Sequence, residues 1–541
     1  MVITRYSKAF GEKEYDTIVI GSGMGGMAAA GILARFGQRV LVLEKHYIAG
    51  GLTHSFKRKR FEWDVGMHYI GNVHDKEHIL RQTFDFISGG KLKWSEIETS
   101  YDKICINHQG QKNHIHFGAG KKQFIDSLLT SFPEEEPAIN RYLELIEKVN
   151  DASEFYFAER LLPPWIGKIL YPLLSKKFRF YSDQTTQQAI SKLTNNHELI
   201  HVLTTRYGNY GLPPGKSSFA MHALVVYSYL EGANYPIGGT SEVANTVSEV
   251  IGKSGGSVVV DAEVEKIILK KNKAIGVQMA DGTQIFSKRV ISNAGYENTT
   301  QKLLPLSDKQ RKKLKLSSEQ QIKPSTGHMA LYVGLEGAAE ELGLDKANHW
   351  LSDSGDHDKR LEAYVNDPEQ NFPFVFISSP STKDPLWSAK NPDISTVTMI
   401  VPASFSWFEK WQDKPWGKRG EEYDALKSQF CERLLAQLYN HLPNTRGKVK
   451  WNELSTPLST AHFCQRDFGA MYGFEHSPER FKQRWVRPAS PVKGLFMVGQ
   501  DMVTVGVTAA TMSAVLATSL ILRTNMMNAL PKAHKKDKEV I

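Results

Sequence analysis

The chain has 541 residues, of which 41% are hydrophobic and 23% charged, the composition of a folded protein of about two to four domains. Its formal net charge of +9 is a mild excess that lies in short basic runs, such as KRKR at 57–60. No zinc-finger spacing or aromatic ribonucleoprotein motif accompanies these runs, so nucleic-acid binding is not expected. Three widely separated cysteines, Cys105, Cys431 and Cys464, predict neither a disulfide framework nor a metal cluster.

The N-terminal stretch MVITRYSKAFGEKEYD is polar and has no secretory apolar core. No uninterrupted apolar run reaches about 20 residues, the length that a membrane-spanning helix needs. Together with the few cysteines, these features predict a cytoplasmic protein in a reducing compartment. The sequence does not predict an oligomeric state.

A dinucleotide-binding unit is predicted near the N-terminus. Residues 16–20 (DTIVI) predict a buried strand, and the GSGMGG that follows places Gly21, Gly23 and Gly26 in the G-x-G-x-x-G register. The next residues, MAAAGILARFG, predict a helix packed by small side chains. The first glycine permits the tight turn, the second lets a pyrophosphate approach, and the third lets helix and strand pack closely. The helix N-terminus then offers N–H donors and a positive dipole to the phosphates.

A second strand, RVLVLEK, carries Glu44 at its end, 23 residues after Gly21. An acidic side chain at this place can accept both hydroxyl groups of an adenosine ribose. The order of strand, glycine loop, helix, strand and acid is far more specific than the glycine motif alone. It predicts a Rossmann-type nucleotide site.

Two distant segments indicate that the nucleotide is FAD rather than NAD. DGTQIFSKRVISNAG (281–295) predicts a hairpin that returns to a strand ending at Ala294. Near the C-terminus, LFMVG (495–499) predicts a strand, after which Asp501 and Gly506 precede a helix of small residues. A helix N-terminus beside an acid suits a second phosphate and a ribityl chain. A nucleotide domain that is interrupted by inserts and closed by the end of the chain is the layout of FAD oxidoreductases.

Four blocks spread over the chain resemble one superfamily of flavoproteins. They are EKHYIAGGLTHSFKRKRFEWDVGMHYIG (44–71), YPIGGTSEVANTV (235–247), MYGFEHSPERF (471–481) and RPASPVKGLFMVGQDMVTVGVTAA (487–510). On these residues the chain resembles the phytoene desaturase and carotenoid isomerase superfamily, and within it the retinol saturase branch. The histidines of the first and third blocks favour that branch over the desaturases.

The resemblance implies FAD as the cofactor and assigns site residues by position. It implies that the ADP half of FAD meets Gly21, Gly23, Gly26, Glu44, Lys45 and Val264. It implies that the pyrophosphate, ribityl chain and flavin ring meet Gly50, Gly51, Thr53, His54, Ala294, Asp501, Gly506 and Val507.

The stretch FEWDVGMHYIG (61–71) predicts a strand that follows the flavin-contacting loop. Asp64 is expected to brace that loop by accepting backbone N–H bonds. His68 and Tyr69 are expected to face the substrate, and together with His54 they are the candidate proton donors. A lone histidine in an apolar helix, such as His222, is interpreted as a satisfied core residue.

Two inserts, at 76–229 and 311–479, are expected to form a substrate domain, for which the resemblance implies a mixed sheet with covering helices. The FAD-binding domain then comprises residues 1–75, 230–310 and 480–530, followed by a polar basic tail at 531–541. The predicted fold is therefore α/β, with a discontinuous Rossmann-type FAD-binding domain and a mixed-sheet substrate domain. This is the two-domain architecture of amine oxidases and phytoene desaturases.

Residues 155–182 mix aromatic, aliphatic and basic side chains, and prolines at 163, 164 and 172 are expected to break the segment into short pieces. Two interpretations stay open. The segment either forms core helices under the cap or lies as an amphipathic surface on a membrane.

The predicted function is FAD-dependent saturation of a carbon–carbon double bond in a hydrophobic polyene of retinoid or carotenoid type. The alternatives are cis–trans isomerisation or desaturation, amine oxidation, and a flavin-binding lipid carrier or membrane-associated redox module without turnover. No second strand followed by G-x-G-x-x-G is found, so electrons are expected from transiently bound NAD(P)H, a partner protein or a quinone. Neither H-E-x-x-H nor G-x-S-x-G occurs, so no metal site and no serine hydrolase are expected.

Overall fold

The structure, a computed structural model, describes residues 3–97, 100–108, 111–316 and 322–540. Its strands are β1 (Ile3–Arg5), β2 (Tyr15–Ile20), β3 (Val40–Leu43), β4 (Ser55–Arg58), β5 (Phe61–Asp64), β6 (Trp94–Ile97), β7 (Asp102–His108), β8 (Gln111–Phe117), β9 (Ala233–Pro236), β10 (Ser257–Val260), β11 (Val264–Lys270), β12 (Lys273–Met279), β13 (Gln284–Ser292), β14 (Gly327–Glu336), β15 (Asn348–Asp353), β16 (Val375–Ser378), β17 (Ile394–Ala403), β18 (Val449–Ser455) and β19 (Leu495–Met497). Its helices are α1 (Met24–Arg35), α2 (Ile79–Ser88), α3 (Lys121–Ser131), α4 (Glu136–Ala158), α5 (Pro164–Ser182), α6 (Thr186–Ile190), α7 (His197–Thr204), α8 (Phe219–Leu230), α9 (Glu242–Lys253), α10 (Asp308–Lys313), α11 (Ala339–Leu342), α12 (His357–Asn366), α13 (Pro380–Lys383), α14 (Pro385–Lys390), α15 (Glu421–His441), α16 (Pro457–Cys464), α17 (Pro478–Phe481), α18 (Gly506–Leu522) and α19 (Met526–Val540).

The first sheet gathers strands from three distant parts of the chain. Its order is β1-β10-β3-β2-β13-β12-β11, and β19 also pairs with β13. The pairs that join β1, β10, β3, β2, β13 and β19 are parallel, whereas β11, β12 and β13 form an antiparallel meander. Strand β3 (VLVL) is buried along its whole length, as a parallel strand covered on both faces must be. The predicted discontinuous Rossmann-type domain is confirmed.

Helix α1 packs against α9 and α18 beside this sheet. Its sequence, MGGMAAAGILAR, is rich in glycine and alanine, so neighbouring backbones approach closely. A Cβ added at Gly26 would lie 2.2 Å from the Gly21 carbonyl oxygen. The third glycine of the motif therefore allows the α1 N-terminus to lie directly on the end of β2, as predicted.

The second sheet is mixed and has the order β18-β14-β17-β16-β15-β7-β8. It is antiparallel except between β15 and β7. Along β14, Ala330 and Tyr332 join the core formed with α4 and α8, whereas Leu331 and Val333 join the core formed with α15. This alternation with a period of two is what a strand buried on both faces requires. The predicted mixed-sheet cap is confirmed.

Two segments next to predicted domain boundaries pack against the nucleotide domain. Helix α2 lies beyond residue 75, yet Leu80, Phe84 and Ile87 are fully buried in the same core cluster as α1. Their spacing places them on one face of a helix, and that face covers the nucleotide domain. Residues 531–540 of the predicted polar tail continue helix α19, which contacts α2, and Ala533 packs against the same core cluster. Residue 541 lies outside the described residues.

Residues 155–182 form longer elements than predicted. Helix α5 runs from Pro164 to Ser182 with Pro172 in its interior, and it packs on α4 and α8. Trp165, Ile169 and Leu173 follow at intervals of four and are 69%, 69% and 74% exposed. These three residues, named here the α5 stripe, form an apolar line on the surface.

No single helix among the described residues is long and apolar enough to cross a membrane. Helix α18 together with residues 526–535 passes the same test of length and composition, with a bend of 95° between the two parts. Much of α18 is buried against α1 in the core of the nucleotide domain.

Candidate functional site

A cavity of about 1400 Å³ lies between the two sheets and is lined by residues of both domains. It is larger than the roughly 300–1,000 Å³ of a pocket for one drug-sized ligand. One end lies at the carboxyl ends of β2 and β3, where open α/β sheets bind nucleotides. The other end reaches aromatic residues of the second sheet. The cavity therefore has room for a dinucleotide and a second molecule.

Two helix N-termini open on the nucleotide end of this cavity. Gly23 and Gly25 at the start of α1 line it, as do Val505 and Gly506 at the start of α18. The described residues provide no side-chain cap at either start, so the first backbone N–H groups are left to hold a ligand. Gly506 has a φ of 91°, and a Cβ added there would meet nothing within 4 Å. The space beside Gly506 is therefore open to a ligand.

The Glu44 carboxylate, just after β3, is held firmly at the cavity wall. Its Oε2 accepts hydrogen bonds from the Ser22 N–H (2.8 Å) and the Ser22 hydroxyl (2.7 Å), and its Oε1 accepts one from the His46 N–H (2.8 Å). Oε2 already accepts two hydrogen bonds, whereas Oε1 keeps one free lone pair, so a ribose hydroxyl can still bind there. Lys45 borders the same end and forms a half-exposed ion pair with Glu263 (2.8 Å).

The loop after β3 folds back on the glycine turn. A Cβ added at Gly51 would lie 2.8 Å from the Gly23 Cα, so only glycine allows this approach. The Thr53 hydroxyl donates to the Gly50 carbonyl (2.8 Å), and His54 Nδ1 donates to the Gly51 carbonyl. Burial lowers the pKa of His54 to about 4, so the ring is neutral at pH 7.

Most of the residues predicted for FAD meet at this cavity. Those that line it are Gly21, Gly23, Glu44, Lys45, Gly51, Thr53, His54, Val264, Ala294, Gly506 and Val507. Gly26 and Gly50 lie behind the wall, where Gly26 allows close packing and Gly50 takes a φ of 118° in the loop turn. The contacts of the lining residues with FAD remain predictions.

Asp501 differs from the prediction, because its carboxylate faces away from the cavity. Oδ2 accepts the Tyr296 N–H (2.9 Å) and pairs with Arg466 (3.0 Å), and Oδ1 accepts the Phe474 N–H (3.4 Å). Asp501 therefore braces the turn between β19 and α18 from behind. The sequence places an acid after a strand but does not say to which side of the turn it points.

Two buried arginines, Arg160 and Arg480, hold the same turn. Arg160 donates to the Met502 carbonyl, and Arg480 donates to three backbone carbonyls between residues 500 and 503 at 3.0 to 3.3 Å. Glu159 lies beside them and pairs with Arg484 (3.2 Å). These bonds engage the carbonyls of the turn, and the turn leads into the N–H groups that begin α18.

Replacing Gly506 by valine is expected to reduce FAD affinity at least about tenfold, which corresponds to about 1.4 kcal/mol. The new side chain would enter the open space beside the α18 N-terminus. The measurement is the ratio of flavin to protein absorbance after purification and dialysis. Gly282→Val is the matched control for backbone strain, since Gly282 also has a positive φ (87°) and no neighbour within 4 Å. Full FAD content in Gly506→Val would exclude this contact.

Gly23, the second glycine of the motif, is a less suitable position for this test. A Cβ at Gly23 would lie 2.7 Å from Asn293 Nδ2. A larger residue there would displace the Asn293 side chain as well as any phosphate. Loss of FAD from a Gly23 variant would therefore not separate a binding defect from a packing defect.

Beyond the nucleotide end, the cavity becomes an aromatic chamber. Its lining includes Tyr69, Tyr207, Tyr229, Trp350, Phe374 and Phe376. The rings of Tyr69 and Tyr229 stack with centroids 4.3 Å apart. Among the described residues, the lining contributed by residues 207–229 and 350–400 has no ionised side chain. The chamber therefore suits a neutral apolar ligand with an extended π-system.

His68 and Tyr69 both reach this chamber. His68 is 7% exposed, and neither ring nitrogen has a hydrogen-bond partner among the described residues. Burial lowers the pKa of His68 to about 3, so its ring is uncharged. The Tyr69 hydroxyl donates to Asp102 Oδ2 (3.3 Å) and accepts from Asn209 Nδ2 (3.3 Å). Burial holds the pKa of Tyr69 well above its ordinary value of 10, so the phenol keeps its proton at neutral pH.

Comparison with known proteins agrees with this geometry. A family model described as flavin containing amine oxidoreductase matches residues 24–522. The chain belongs to the flavin-containing amine oxidoreductase family. All-trans-retinol 13,14-reductase of Rattus norvegicus is 35% identical over 547 residues, which cover 97% of this chain and 90% of that protein. The chain is an FAD-dependent oxidoreductase.

Two further similarities are more distant. Prolycopene isomerase 2 of an Oncidium hybrid cultivar is 27% identical over 475 residues, covering 85% of this chain and 75% of that protein. The solved structure of an engineered putrescine oxidase has a TM-score of 0.61 and 16% sequence identity, covering 94% of this chain and 99% of that chain. The second similarity supports the fold alone.

The oxidoreductase carries a buried polar network that sequence patterns do not reveal. Asp102, fully buried at the start of β7, pairs with Arg206 (3.2 Å) and accepts bonds from Tyr69, Trp350 (3.1 Å) and Asn348 (3.5 Å). Its four donors come from three separate segments, since Asn348 and Trp350 both lie on β15. An acid in YDKICI and a base in TTRYG have no local pattern that marks them as partners.

Lys383 is a second residue of this oxidoreductase that the sequence does not single out. It is fully buried, and Nζ donates to the His68 carbonyl (3.0 Å), to Ser378 Oγ (2.6 Å) and to Asn348 Oδ1. Burial lowers the pKa of Lys383 to about 7. Because Asn348 also contacts Asp102, Lys383 links the His68 backbone to the network around Tyr69.

Asp64 braces a different segment from the one predicted. Its carboxylate accepts hydrogen bonds from the Tyr235 hydroxyl, from Thr240 Oγ1 (2.6 Å) and from the Thr240 N–H (3.4 Å). Burial raises the pKa of Asp64 to about 6. The structural role predicted for Asp64 is retained, but it connects β5 to the block at 235–240 rather than to the loop at 50–54.

His222 is the satisfied core residue that its apolar helix predicts. Its Nε2 lies 2.7 Å from the Tyr142 hydroxyl and its Nδ1 lies 3.0 Å from the Tyr210 hydroxyl. Burial lowers the pKa of His222 to about 3, against 6.5 in an unfolded chain. Between these values only the unfolded state binds the proton. The free energy of unfolding therefore falls with decreasing pH below about 6.5, by up to about 1.4 kcal/mol per pH unit.

Replacing His222 by glutamine is expected to reduce the pH dependence of the unfolding free energy below about pH 6.5. The number of protons taken up on unfolding should fall by about one. The measurement is the denaturant midpoint and slope at several pH values between 4 and 7, for the variant and the parent protein. His197→Gln is the control, since His197 is exposed and should leave the profile unchanged. Identical pH profiles for His222→Gln and the parent would contradict the assignment.

Proposed function

We propose that the protein reduces a carbon–carbon double bond in a neutral, hydrophobic polyene of retinoid or carotenoid type. The observation that carries the proposal is the aromatic chamber without ionised lining, which opens directly on the nucleotide end of the same cavity. A chamber of this kind favours a flat conjugated chain over a charged substrate. The similarity to all-trans-retinol 13,14-reductase over nearly the whole chain supports the substrate class.

Tyr69 is the proposed proton donor. When bound and reduced, FAD supplies a hydride to one carbon of the double bond, so the other carbon needs a proton. Tyr69 retains its proton within the chamber wall, and because its hydroxyl donates to Asp102, it must turn away from Asp102 to protonate a substrate carbon. Asn209 donates to the Tyr69 oxygen, and the charge of Arg206 lowers the energy of the phenolate left behind.

His68 and His328 are proposed to bind a polar end group of the substrate, such as a hydroxyl. Both line the chamber and are 7% and 8% exposed. Both His68 ring nitrogens and His328 Nδ1 lack a hydrogen-bond partner among the described residues. Unpaired buried polar atoms are costly, so a ligand that satisfies them gains affinity.

Mass spectrometry tests the reaction. The purified holoprotein is reduced, and incubated without oxygen with all-trans-retinol and, separately, with a carotenoid. A product that gains two hydrogens supports the proposal. A product of unchanged mass with altered geometry would assign isomerisation, which the similarity to prolycopene isomerase favours as the second candidate.

The remaining outcomes each reject the proposal. Loss of two hydrogens with oxidised flavin would assign desaturation, and peroxide release from amines would assign amine oxidation. Bound FAD and lipid with no product under any redox condition would assign a lipid-binding flavin module. Supplying NADPH, NADH or a reduced quinone in the same assay identifies the electron donor, for which transient NAD(P)H binding is proposed.

A peripheral membrane contact through the α5 stripe is proposed as the route by which the lipid substrate arrives. The stripe is flanked by the exposed Lys168, Lys176 and Lys177. Asn150, Ser153, Phe157 and Leu161, on the end of α4 and the turn that leads to α5, line the cavity. Exposed apolar side chains beside lysines suit an anionic lipid surface.

Replacing Trp165, Ile169 and Leu173 together by serine is expected to reduce binding to anionic vesicles at least about tenfold, because most of the inserted apolar area is lost. Cosedimentation with vesicles of phosphatidylserine and phosphatidylcholine measures it. Trp416→Ser is the matched control, since Trp416 is 46% exposed on another element. Unchanged sedimentation of the triple variant would reject this surface.

A further inference from the structure

A cluster of cysteine and histidine side chains lies on the second sheet, on the face opposite the chamber. Cys105 is on β7, His349 is on β15, and His441 is the last residue of α15. Their ligand atoms all lie within 4.8 Å of one another. Ile104 and Ile106, which alternate with Cys105, join the core on the chamber side. The cluster is therefore separated from the flavin cavity by the sheet itself.

A candidate fourth ligand, the imidazole of His114, lies beside Cys105 just outside this group of three. Cys105 and His114 are paired across β7 and β8, and the Cys105 Sγ lies 3.2 Å from His114 Nδ1. His349 Nδ1 lies 2.8 Å from His441 Nε2. In a tetrahedral zinc site with Zn–S of about 2.3 Å and Zn–N of about 2.0–2.1 Å, ligand atoms are separated by about 3.3–3.6 Å. Movements of a few tenths of an ångström would bring these two pairs to that spacing.

The other ring nitrogen of His349 makes the contact that orients metal-binding histidines. His349 Nε2 lies 3.0 Å from Asp345 Oδ1, and Asp345 also accepts bonds from Lys103 Nζ and from the Ala347 N–H (3.0 Å). A carboxylate can only accept, so the ring proton lies on Nε2 and the lone pair of Nδ1 points into the cluster. A carboxylate behind a ligating histidine is a regular feature of zinc sites.

We propose that Cys105, His114, His349 and His441 bind one divalent transition-metal ion, with zinc the best match. Thiolate and imidazole ligands favour zinc and exclude magnesium and calcium, which prefer oxygen. One thiolate and the nearby Asp345 balance the double charge of the ion. The ion would also lie at the C-terminal end of α15, where a positive charge is favourable.

A closed set of four protein ligands indicates a structural ion. It would join the end of α15 to the paired strands β7, β8 and β15. The half-buried His441 and the exposed His114 lie at the rim of the cluster, so an ion can enter without opening the core. The ligands are far apart in the sequence, which is why no metal-binding spacing is found there.

Metal titration of the untagged holoprotein tests the proposal. After chelator treatment and desalting, Zn²⁺ binding is measured by competition with a chromophoric chelator, and Co²⁺ is added to a second sample. We expect one Zn²⁺ per chain, and visible Co²⁺ bands of tetrahedral thiolate type at longer wavelengths than the flavin absorbs. Cys105→Ser and His441→Asn are expected to lose both signals.

Two further variants distinguish the loss of a metal ligand from a general loss of structure. Cys431→Ser removes a cysteine elsewhere on α15 and should bind zinc as the parent does. Asp345→Asn should weaken zinc binding about 10–100-fold while keeping all four ligands. FAD content and circular dichroism establish that each variant is folded. Absence of zinc binding by the parent, or equal binding by the parent and Cys105→Ser, would overturn the proposal and leave a hydrogen-bonded chain of side chains.

Discussion

Replacing Tyr69 by phenylalanine is expected to lower the turnover number about 100-fold or more while FAD content stays complete. A positioned general acid contributes roughly 10²–10⁴-fold, and phenylalanine keeps the ring that stacks on Tyr229 while removing the acidic proton. The measurement is the rate of formation of reduced product from the polyene at saturating substrate, with the flavin supplied in its reduced form.

His68→Gln is the informative comparison for this variant. Because His68 is proposed to bind a polar end group, its loss should mainly raise KM, by roughly tenfold for one hydrogen bond, with kcat nearly unchanged. Tyr69→Phe should do the reverse. Full turnover in Tyr69→Phe together with a large fall in kcat for His68→Gln would transfer the proton-donor role to His68.

Replacing Asp102 by alanine is expected to lower the free energy of unfolding by about 3–5 kcal/mol, because it leaves the buried guanidinium of Arg206 without its partner. Trp350 and Asn348 would also lose their acceptor. The measurement is a denaturant titration followed by circular dichroism, with FAD release recorded in parallel.

Two control variants test whether the loss of stability in Asp102→Ala comes from the unpaired buried charge. Asp393→Ala removes one half of an ion pair with Arg60 that is more than half exposed, and it should change stability little. The double variant Asp102→Asn with Arg206→Met should recover part of the loss, since the uncompensated charge is then gone. A loss from Asp102→Ala no larger than that from Asp393→Ala would show that the network contributes little to stability.

The nucleotide half of the fold follows from local sequence. The run DTIVI, the glycines after it and the small-residue helix each favour the element that forms, and their order allows only a few topologies. The errors lie where local rules compete with packing. Pro172 favours a break, yet α5 continues through it and packs on α4 and α8. The basic segment from residue 531 looks solvated, yet it continues helix α19, which contacts α2 and buries Met526 and Leu530 just before the segment.

In the candidate site too, some residues could be predicted from local spacing and others depend on tertiary contacts. Gly21, Gly23, Glu44 and Gly51 could be predicted because the spacing of a phosphate-binding turn is local. The spacing predicts Asp501 beside the cofactor. Its side chain instead points towards Arg466, and this direction depends on the turn and on that distant partner.

By itself, the amino-acid sequence determined the cofactor class, the discontinuous Rossmann-type domain and the superfamily, since these rest on short segments whose backbone geometry needs glycine or small residues. Only the tertiary structure decided that Tyr69 is anchored by Asp102, that Lys383 supports His68, and that Cys105 meets three histidines. Each of these contacts joins residues from separate strands and helices. Burial then sets their protonation, because a charged group in a desolvated site is stable only beside the right partner. Neither the partner nor the degree of burial can be predicted from the local sequence.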